Sequence, residues 1–289
     1  MDLIRSIFEC QDEFASLGCT VNDMKNCTIV MSEKCPELYE FNHVRNIKLQ
    51  ETTDNLLSEF IENIEKIFCD NERSYCRFHL DYRALSANIN GILRNKGYHP
   101  VPILTQIMKL NETKNDNNER HENSEVEVLE LELEFDKDGR CKNEIWNSLI
   151  CQEYMNSVGY VDVENLINFK STRIMIANLL SDKEKKYRNF VAFVSGKEVG
   201  HVELYYARNI IYMADLYVQP HFRMQGIASR LIKHAIKVAK SLKCQAIFLD
   251  TYSFDTPRYM YTKYGFSDLT ESISWIKGKE VEDDMVIMM

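Results

Sequence analysis

Glycine is scarce in this chain, with ten in 289 residues, where average usage near 7% would give about twenty. The few that are present mark where the backbone can turn left-handed or approach a ligand closely. C-x-x-C pairs are missing as well. The nine cysteines stand at 10, 19, 27, 35, 69, 76, 141, 151 and 244, and an odd, scattered set excludes a disulfide framework and a standard zinc site. No apolar run approaches the roughly 18 residues that span a bilayer. The N-terminus carries no basic segment leading into a long apolar stretch and a cleavage site, so it reads without a signal peptide. Reduced thiols in a cytoplasmic protein are the expectation. Positive charge is in deficit: Lys plus Arg number 35 against 44 Asp plus Glu, a formal charge of −9. That field does not attract nucleic acid or an anionic membrane; it suits a cationic small molecule or peptide, or merely confers solubility. The remaining composition, 45% hydrophobic and 27% charged, is that of a globular protein. At roughly 150 residues per domain, the length allows two domains or one large one.

Residues 111–124 (NETKNDNNERHENS) are almost wholly polar and separate two segments with clear apolar periodicity. They read as a linker between a domain at 1–110 and another at 125–289. In the second, 125–135 alternates Glu with Val, Leu and Phe at a strand's period of two, with a slip at Val128-Leu129 that would suit a bulge. Two helices are predicted at 142–157 and 162–181. Strands follow at 189–195, 199–206 and 210–218, then an amphipathic helix at 227–242, a strand at 244–250, a short helix at 256–264 and a last strand. This order predicts a mixed α/β sheet with helices on both faces.

The chemistry concentrates where the strand ending at Val218 meets the helix opening near Ile227. Pro220 stops the strand, and Arg223, Met224, Gln225, Gly226, Ile227, Ala228 and Ser229 lie at the helix N-terminus. Such a terminus offers unpaired N–H groups and partial positive charge, which together bind phosphate. Gly226 and Ala228 let a pyrophosphate come close, and Arg223 and Ser229 can add donors. The pattern is neither a P-loop nor a Rossmann fingerprint, and alone it is weak and reads first as a helix cap.

Taken together, the strand, P-x-x-R-x-x-G-x-A and the amphipathic helix resemble motif A of the GNAT superfamily of acyl-CoA-dependent N-acyltransferases. Further on, Tyr261-Thr262-Lys263-Tyr264-Gly265-Phe266 resembles the family's Y-x-K-x-G-F signature. The resemblance implies that Leu216, Tyr217 and Val218 lie beside a pantetheine arm, that residues 223–229 take the pyrophosphate of acetyl-CoA, and that Tyr261 protonates the departing thiolate. A phenol titrates at about 10 and so holds its proton at neutral pH. Tyr259 is a neighbouring alternative. For the general base, the strand carboxylates Glu203 and Asp215 are the candidates. His201 reads as a strand-face residue rather than a base. No metal is expected.

The first half echoes the second. Arg77-Phe78-His79-Leu80-Asp81 resembles Ala246-Ile247-Phe248-Leu249-Asp250, and Asn95-Lys96-Gly97-Tyr98 resembles Lys263-Tyr264-Gly265-Phe266. A helix at 52–69 precedes the first of these, and a strand is predicted at 27–31. The fold expected is therefore tandem GNAT-like domains, each a mixed, mostly antiparallel sheet flanked by helices, the first of them degenerate. Leu57 falls where Gly226 would be, and no glycine occurs between Gly18 and Gly91, so this half is expected to bind no acyl-CoA. A tandem of this kind can stand in for a homodimer and is compatible with a monomer. The resulting expectation is an N-acetyltransferase acting on a small cationic amine, for instance in antibiotic inactivation or self-resistance. Five glutamates read as one face of 125–134 favour such an acceptor, or merely protect an edge strand. A protein or peptide N-acetyltransferase and a non-catalytic acyl-CoA-binding module are the alternatives.

Overall fold

The computed structural model describes residues 3–48, 53–73, 75–81, 84, 87–110, 125–157, 163–179 and 185–278. The predicted linker at 111–124 lies outside them. The elements in chain order are α1 (Leu3–Ser16), β1 (Thr20–Asp23), β2 (Thr28–Met31), β3 (His43–Arg45), α2 (Asp54–Asp70), β4 (Tyr75–Leu80), α3 (Ala87–Asn95) and β5 (His99–Lys109). They continue with β6 (Val126–Leu131), α4 (Glu144–Ser157), α5 (Val163–Leu179), β7 (Tyr187–Val194), β8 (Lys197–Ala207) and β9 (Ile210–Val218). The last are α6 (Ile227–Ser241), β10 (Ala246–Tyr252), α7 (Pro257–Thr262) and β11 (Ser267–Gly278).

The chain forms two compact units, interleaved in sequence, where a single cut at the linker was expected. One contains 1–18, 106–250 and 256–269; the other contains 19–105, 251–255 and 270–289. The sequence offered no sign of α1, whose partners lie far along the chain. Glu13 accepts from Lys186 Nζ at 2.9 Å and from the Tyr205 hydroxyl at 2.6 Å. Phe14 packs under the Arg173 guanidinium, 4.1 Å from the ring centre.

In the larger unit β6, β7, β8 and β9 pair antiparallel in that order, and β10 pairs parallel to β9. The parallel step needs a crossover, which α6 supplies. Its apolar stripe, Ile227, Leu231, Ile232, Ala235 and Val238, is buried with Val202, Leu204, Ile211 and Met213.

No bulge interrupts β6. It pairs with β7 in one register from Val126 to Leu131, and the irregularity falls between β7 and β8 instead. Unbroken alternation puts Glu127 and Glu130 on opposite faces. Glu130 is half-buried and accepts from Arg188 Nε at 2.9 Å. The five glutamates therefore do not share a face, because Arg188 on the neighbouring strand satisfies one of them.

The smaller unit repeats the pattern. Strands β1, β2 and β3 pair antiparallel, β3 and β4 pair parallel across the crossover helix α2, and β4 pairs antiparallel with 273–278 of β11. The turn after each short helix matches bond for bond. Gly97 donates to Arg94 and Tyr98 to Leu93; Gly265 donates to Thr262 and Phe266 to Tyr261. Both glycines have positive φ, 83° and 93°, the left-handed turn that only glycine adopts without strain. By this correspondence the buried Leu93 stands in the place of Tyr261.

The two crossover helices differ at their N-termini. Gly226 caps α6 with no side-chain acceptor. Thr53 caps α2 with its hydroxyl, which accepts from Leu56 N–H, and Asp54 follows in the first turn. The counterpart of Gly226 is thus Thr53, and Leu57, buried one turn further in, is a core residue. A capped and acidic helix start has lost the free donors and positive field that bind a phosphate.

Candidate active site

The cradle at α6 is built by local geometry. After β9, a 3-10 turn at Pro220–Phe222 leads into the loop. Arg223 Nε donates to Val218 O at 3.1 Å, and Gln225 Nε2 donates to His221 O at 3.1 Å. Met224 and Gly226 are both left-handed, with φ of 61° and 83°. No atom outside the adjacent residues lies within 4 Å of where a Cβ on Gly226 would stand. The first-turn N–H groups of α6 have no intrahelical acceptor, and no acid stands in that turn. These features suit an anion such as a pyrophosphate.

The strand before the loop has one open edge. β9 pairs with β8 as far as Val218, but with β10 only at 210–212 against 246–248. Beyond Tyr212 the two parallel strands part, and the main chain of Leu216, Tyr217 and Val218 borders the gap. Gly200 lies opposite Val218, and a Cβ there would meet Tyr217 O at 2.5 Å. Gly200→Ala is therefore expected to push β8 and β9 apart and to cost about 1–3 kcal/mol, measurable by denaturant unfolding. No motif pointed to Gly200.

A bulge decides which way the strand carboxylates face. Glu203 pairs with Asp215 but Leu204 with Met213, so Ala214 is extra. The bulge reverses the alternation, sending Met213 into the core under α6 and Asp215 to the opposite face beside Glu203 and His201. Tyr261 lies on the α6 side, in one buried cluster with Val218, Ile227 and Phe266. The proposed acid and the candidate bases thus occupy opposite sides of β9.

On the Asp215 side, α4 and α5 deliver two residues that no motif indicated, Glu153 and Lys170. Lys170 Nζ lies 3.0 Å from Asp215 Oδ2, 3.6 Å from Glu203 Oε1 and 3.9 Å from Glu153 Oε2. His201 Nε2 is 3.1 Å from Glu153 Oε2. The Tyr187 hydroxyl donates to Glu203 Oε2. Glu153, His201 and Asp215 bring ligand atoms within 4.8 Å of one another, and the Lys170 ammonium lies beside them.

The charges tune one another. Burial alone would raise Asp215, but Lys170 and His201 outweigh it and hold the carboxyl below the usual range. Burial and then the Asp215 charge push Glu153 up to about 7, against the pull of Lys170 and His201. Burial opposes the charge on Lys170 and on His201, but the surrounding carboxyls win in both cases and raise them.

This geometry separates the sequence candidates. The Glu203 side chain is 2% exposed and closed in by Tyr187 and Lys170, so a substrate amine has no direct path to it. Asp215 is 23% exposed but committed to Lys170. His201 is fully buried. Tyr217 turns its side chain toward this cluster, where its hydroxyl accepts from Asn156 Nδ2 at 3.0 Å. Tyr259 is exposed, with its ring under Arg258.

Residues 152–266 match the Acetyltransferase (GNAT) family. Acetyltransferase Atu2258 of Agrobacterium fabrum (strain C58 / ATCC 33970) is 33% identical over 98 residues, covering 31% of this chain and 68% of that protein. This chain belongs to the GNAT family. Thialysine N-ε-acetyltransferase of Bos taurus is 36% identical over 66 residues, or 22% of this chain; the match spans only 39% of that relative's length. Among solved structures, a tandem GNAT protein from the clavulanic acid biosynthesis pathway is similar with a TM-score of 0.56. The likeness covers 87% of this chain and 78% of that one at 8% identity, so it speaks for a shared tandem fold alone. Among the described residues, no helix is long and apolar enough to cross a membrane.

Proposed function

We propose that this GNAT protein transfers an acetyl group from acetyl-CoA to the primary amine of a small cationic acceptor, by direct attack in a ternary complex. The carrying observation is the open cradle at Gly226, with uncapped N–H groups and a neighbouring strand edge left unpaired past Tyr212. Residues 223–229 would hold the pyrophosphate and the edge at 216–218 the pantetheine arm, with acetyl-CoA supplying the activated acyl group. A main-chain N–H near Val218 would stabilise the oxyanion that develops as the amine attacks. Tyr261 would hold its proton until the sulfur departs and then give it up. Catalysis would belong to the larger unit, since the smaller one has Thr53 and Leu93 in the corresponding places.

The formal charge of −9 and the carboxyl-rich cluster beside β9 favour a cationic acceptor. A relative named for the ε-amine of thialysine agrees with a small amine substrate. An antibiotic carrying such an amine is one member of this class. Cytoplasmic residence and a monomeric state accompany this reading.

A thiol-release assay across a panel of polyamines, amino acids, aminoglycosides and basic peptides tests the proposal. Acceptor-dependent release is expected with cationic small amines. Tight acetyl-CoA binding with no acceptor-dependent release would instead mark a binding module. Tyr261→Phe is expected to lower kcat by about 100-fold or more, with acetyl-CoA affinity nearly unchanged. An unchanged kcat would remove Tyr261 from the mechanism.

A further inference from the structure

Of the four acidic and imidazole groups gathered beside β9 among the described residues, two reach toward solvent. The Glu153 and Asp215 side chains are 14% and 23% exposed, while His201 and Glu203 are 0% and 2% exposed. Asp215 and Glu153 stand close enough to share one site, and two carboxyls so placed do not both ionise readily. Lys170 decides between them. It lies 3.0 Å from Asp215 but 3.9 Å from Glu153, so Asp215 keeps its negative charge and Glu153 is the member of the pair that gains and loses a proton.

His201 then holds Glu153 in place, its Nε2 3.1 Å from Oε2. Behind them, His201 Nδ1 and Glu203 Oε1 lie 4.0 Å apart, within ion-pair but not hydrogen-bond distance, and both side-chain polar atoms of Asn189, opposite Glu203, are buried without a hydrogen bond among the described residues. A purely structural ion-pair network would leave few such atoms unsatisfied.

We infer that Glu153, held by His201 and set against Asp215, is the group that takes the proton from the acceptor ammonium. This rests on the acetyl-transfer reading above. The bound R–NH3+ gives one proton to the Glu153 carboxylate, leaving a lone pair on nitrogen. That pair forms the C–N bond at the acyl carbon while the C–S bond breaks and its electron pair leaves on sulfur. Tyr261 protonates the sulfur, and the second nitrogen proton departs and restores the phenol. The net products are the acetamide, the free thiol and one proton, which Glu153 returns to solvent.

The groups bearing on Glu153 include Lys170 from α5, His201 from β8, and Asp215 and Tyr217 from β9, with Glu203 of β8 and Tyr154 of α4 against Lys170. Its carboxyl is pushed up to about 7, so it is proton-free and able to accept above that pH and filled below it. The apparent value belongs to the Glu153–Asp215 pair.

The test is the pH profile of kcat for wild type, Glu153→Gln and Glu153→Asp with a cationic amine found active in the thiol-release panel. Wild type should lose activity as pH falls through about 7. Glu153→Gln should lose about 100-fold or more in kcat at pH 8, and the limb near 7 with it, at an unchanged KM for acetyl-CoA. Glu153→Asp keeps a carboxylate and should retain the limb with a smaller loss, which holds the test open if the glutamine variant folds poorly. An aryl hydrazine, unprotonated at pH 8, should be affected less than 10-fold by Glu153→Gln. A glutamine variant with wild-type kcat and an intact limb would overturn the role of Glu153 while acetyl transfer stood. Absence of acceptor-dependent thiol release from wild type with every amine would overturn both.

Discussion

Gly226→Glu is expected to lower affinity for acetyl-CoA by at least about 100-fold, or about 2.7 kcal/mol, while leaving the protein folded. Gly226 sits at φ 83°, and holding an L-residue there costs roughly 1–2 kcal/mol. The position is exposed, and an added Cβ would meet no atom within 4 Å, so the fold has room for the side chain. A carboxylate there would occupy the space proposed for the pyrophosphate and repel it. The melting temperature should fall by only a few degrees, while calorimetric titration with acetyl-CoA should show little or no heat. Gly226→Ala carries the same strain without the charge and should fall between. Full affinity in the glutamate variant would mean that the phosphates lie elsewhere.

Lys170→Met should produce the largest loss of stability. The ammonium is buried among three carboxyls at 3.0, 3.6 and 3.9 Å. Methionine fills similar volume but removes from these carboxyls the cation that lies nearest them at 3.0–3.9 Å. Breaking a buried ion pair on one side costs about 3–5 kcal/mol, which denaturant unfolding at pH 7 would register. The pH dependence identifies the cause. Lys170 is raised in the folded state, so its contribution persists at every pH below its ordinary value and is lost only in alkali. In the variant the abandoned carboxyls become easier to protonate on folding, so the gap from wild type should narrow from pH 7 toward pH 5. A gap constant over that range would point to lost packing rather than lost charge.

Local signals made half of this site legible. The cradle is one strand end, one turn and one helix start, and all of it lies within about a dozen residues of Gly226. Gly97 and Gly265 likewise announced the repeated turn, because positive φ writes glycine into the sequence. The carboxyl cluster was hidden because its members are remote in the chain: Lys170 meets Asp215 across 45 residues, and His201 meets Glu153 across 48. On sequence alone, Glu153 and Lys170 are polar residues on helices with no sharp apolar stripe. The bulge at Ala214 was equally silent, since it is a property of β8 and β9 paired together. The glutamates of β6 misled for a related reason: Arg188, which makes an inward glutamate tolerable, is on another strand.

The interleaving of the two units also constrains the order of events on the ribosome. The smaller unit starts at residue 19, yet β4 awaits 273–278 as its partner, and the buried Trp275 donates to Asn90 at 2.9 Å. The earlier half of the chain therefore cannot complete its sheet until the last strand is synthesised. At about 5–20 residues per second, β4 waits ten seconds or more after its own synthesis with an unfilled edge. Synthesis of 273–278, rather than emergence of the first half, is the event that lets this unit close.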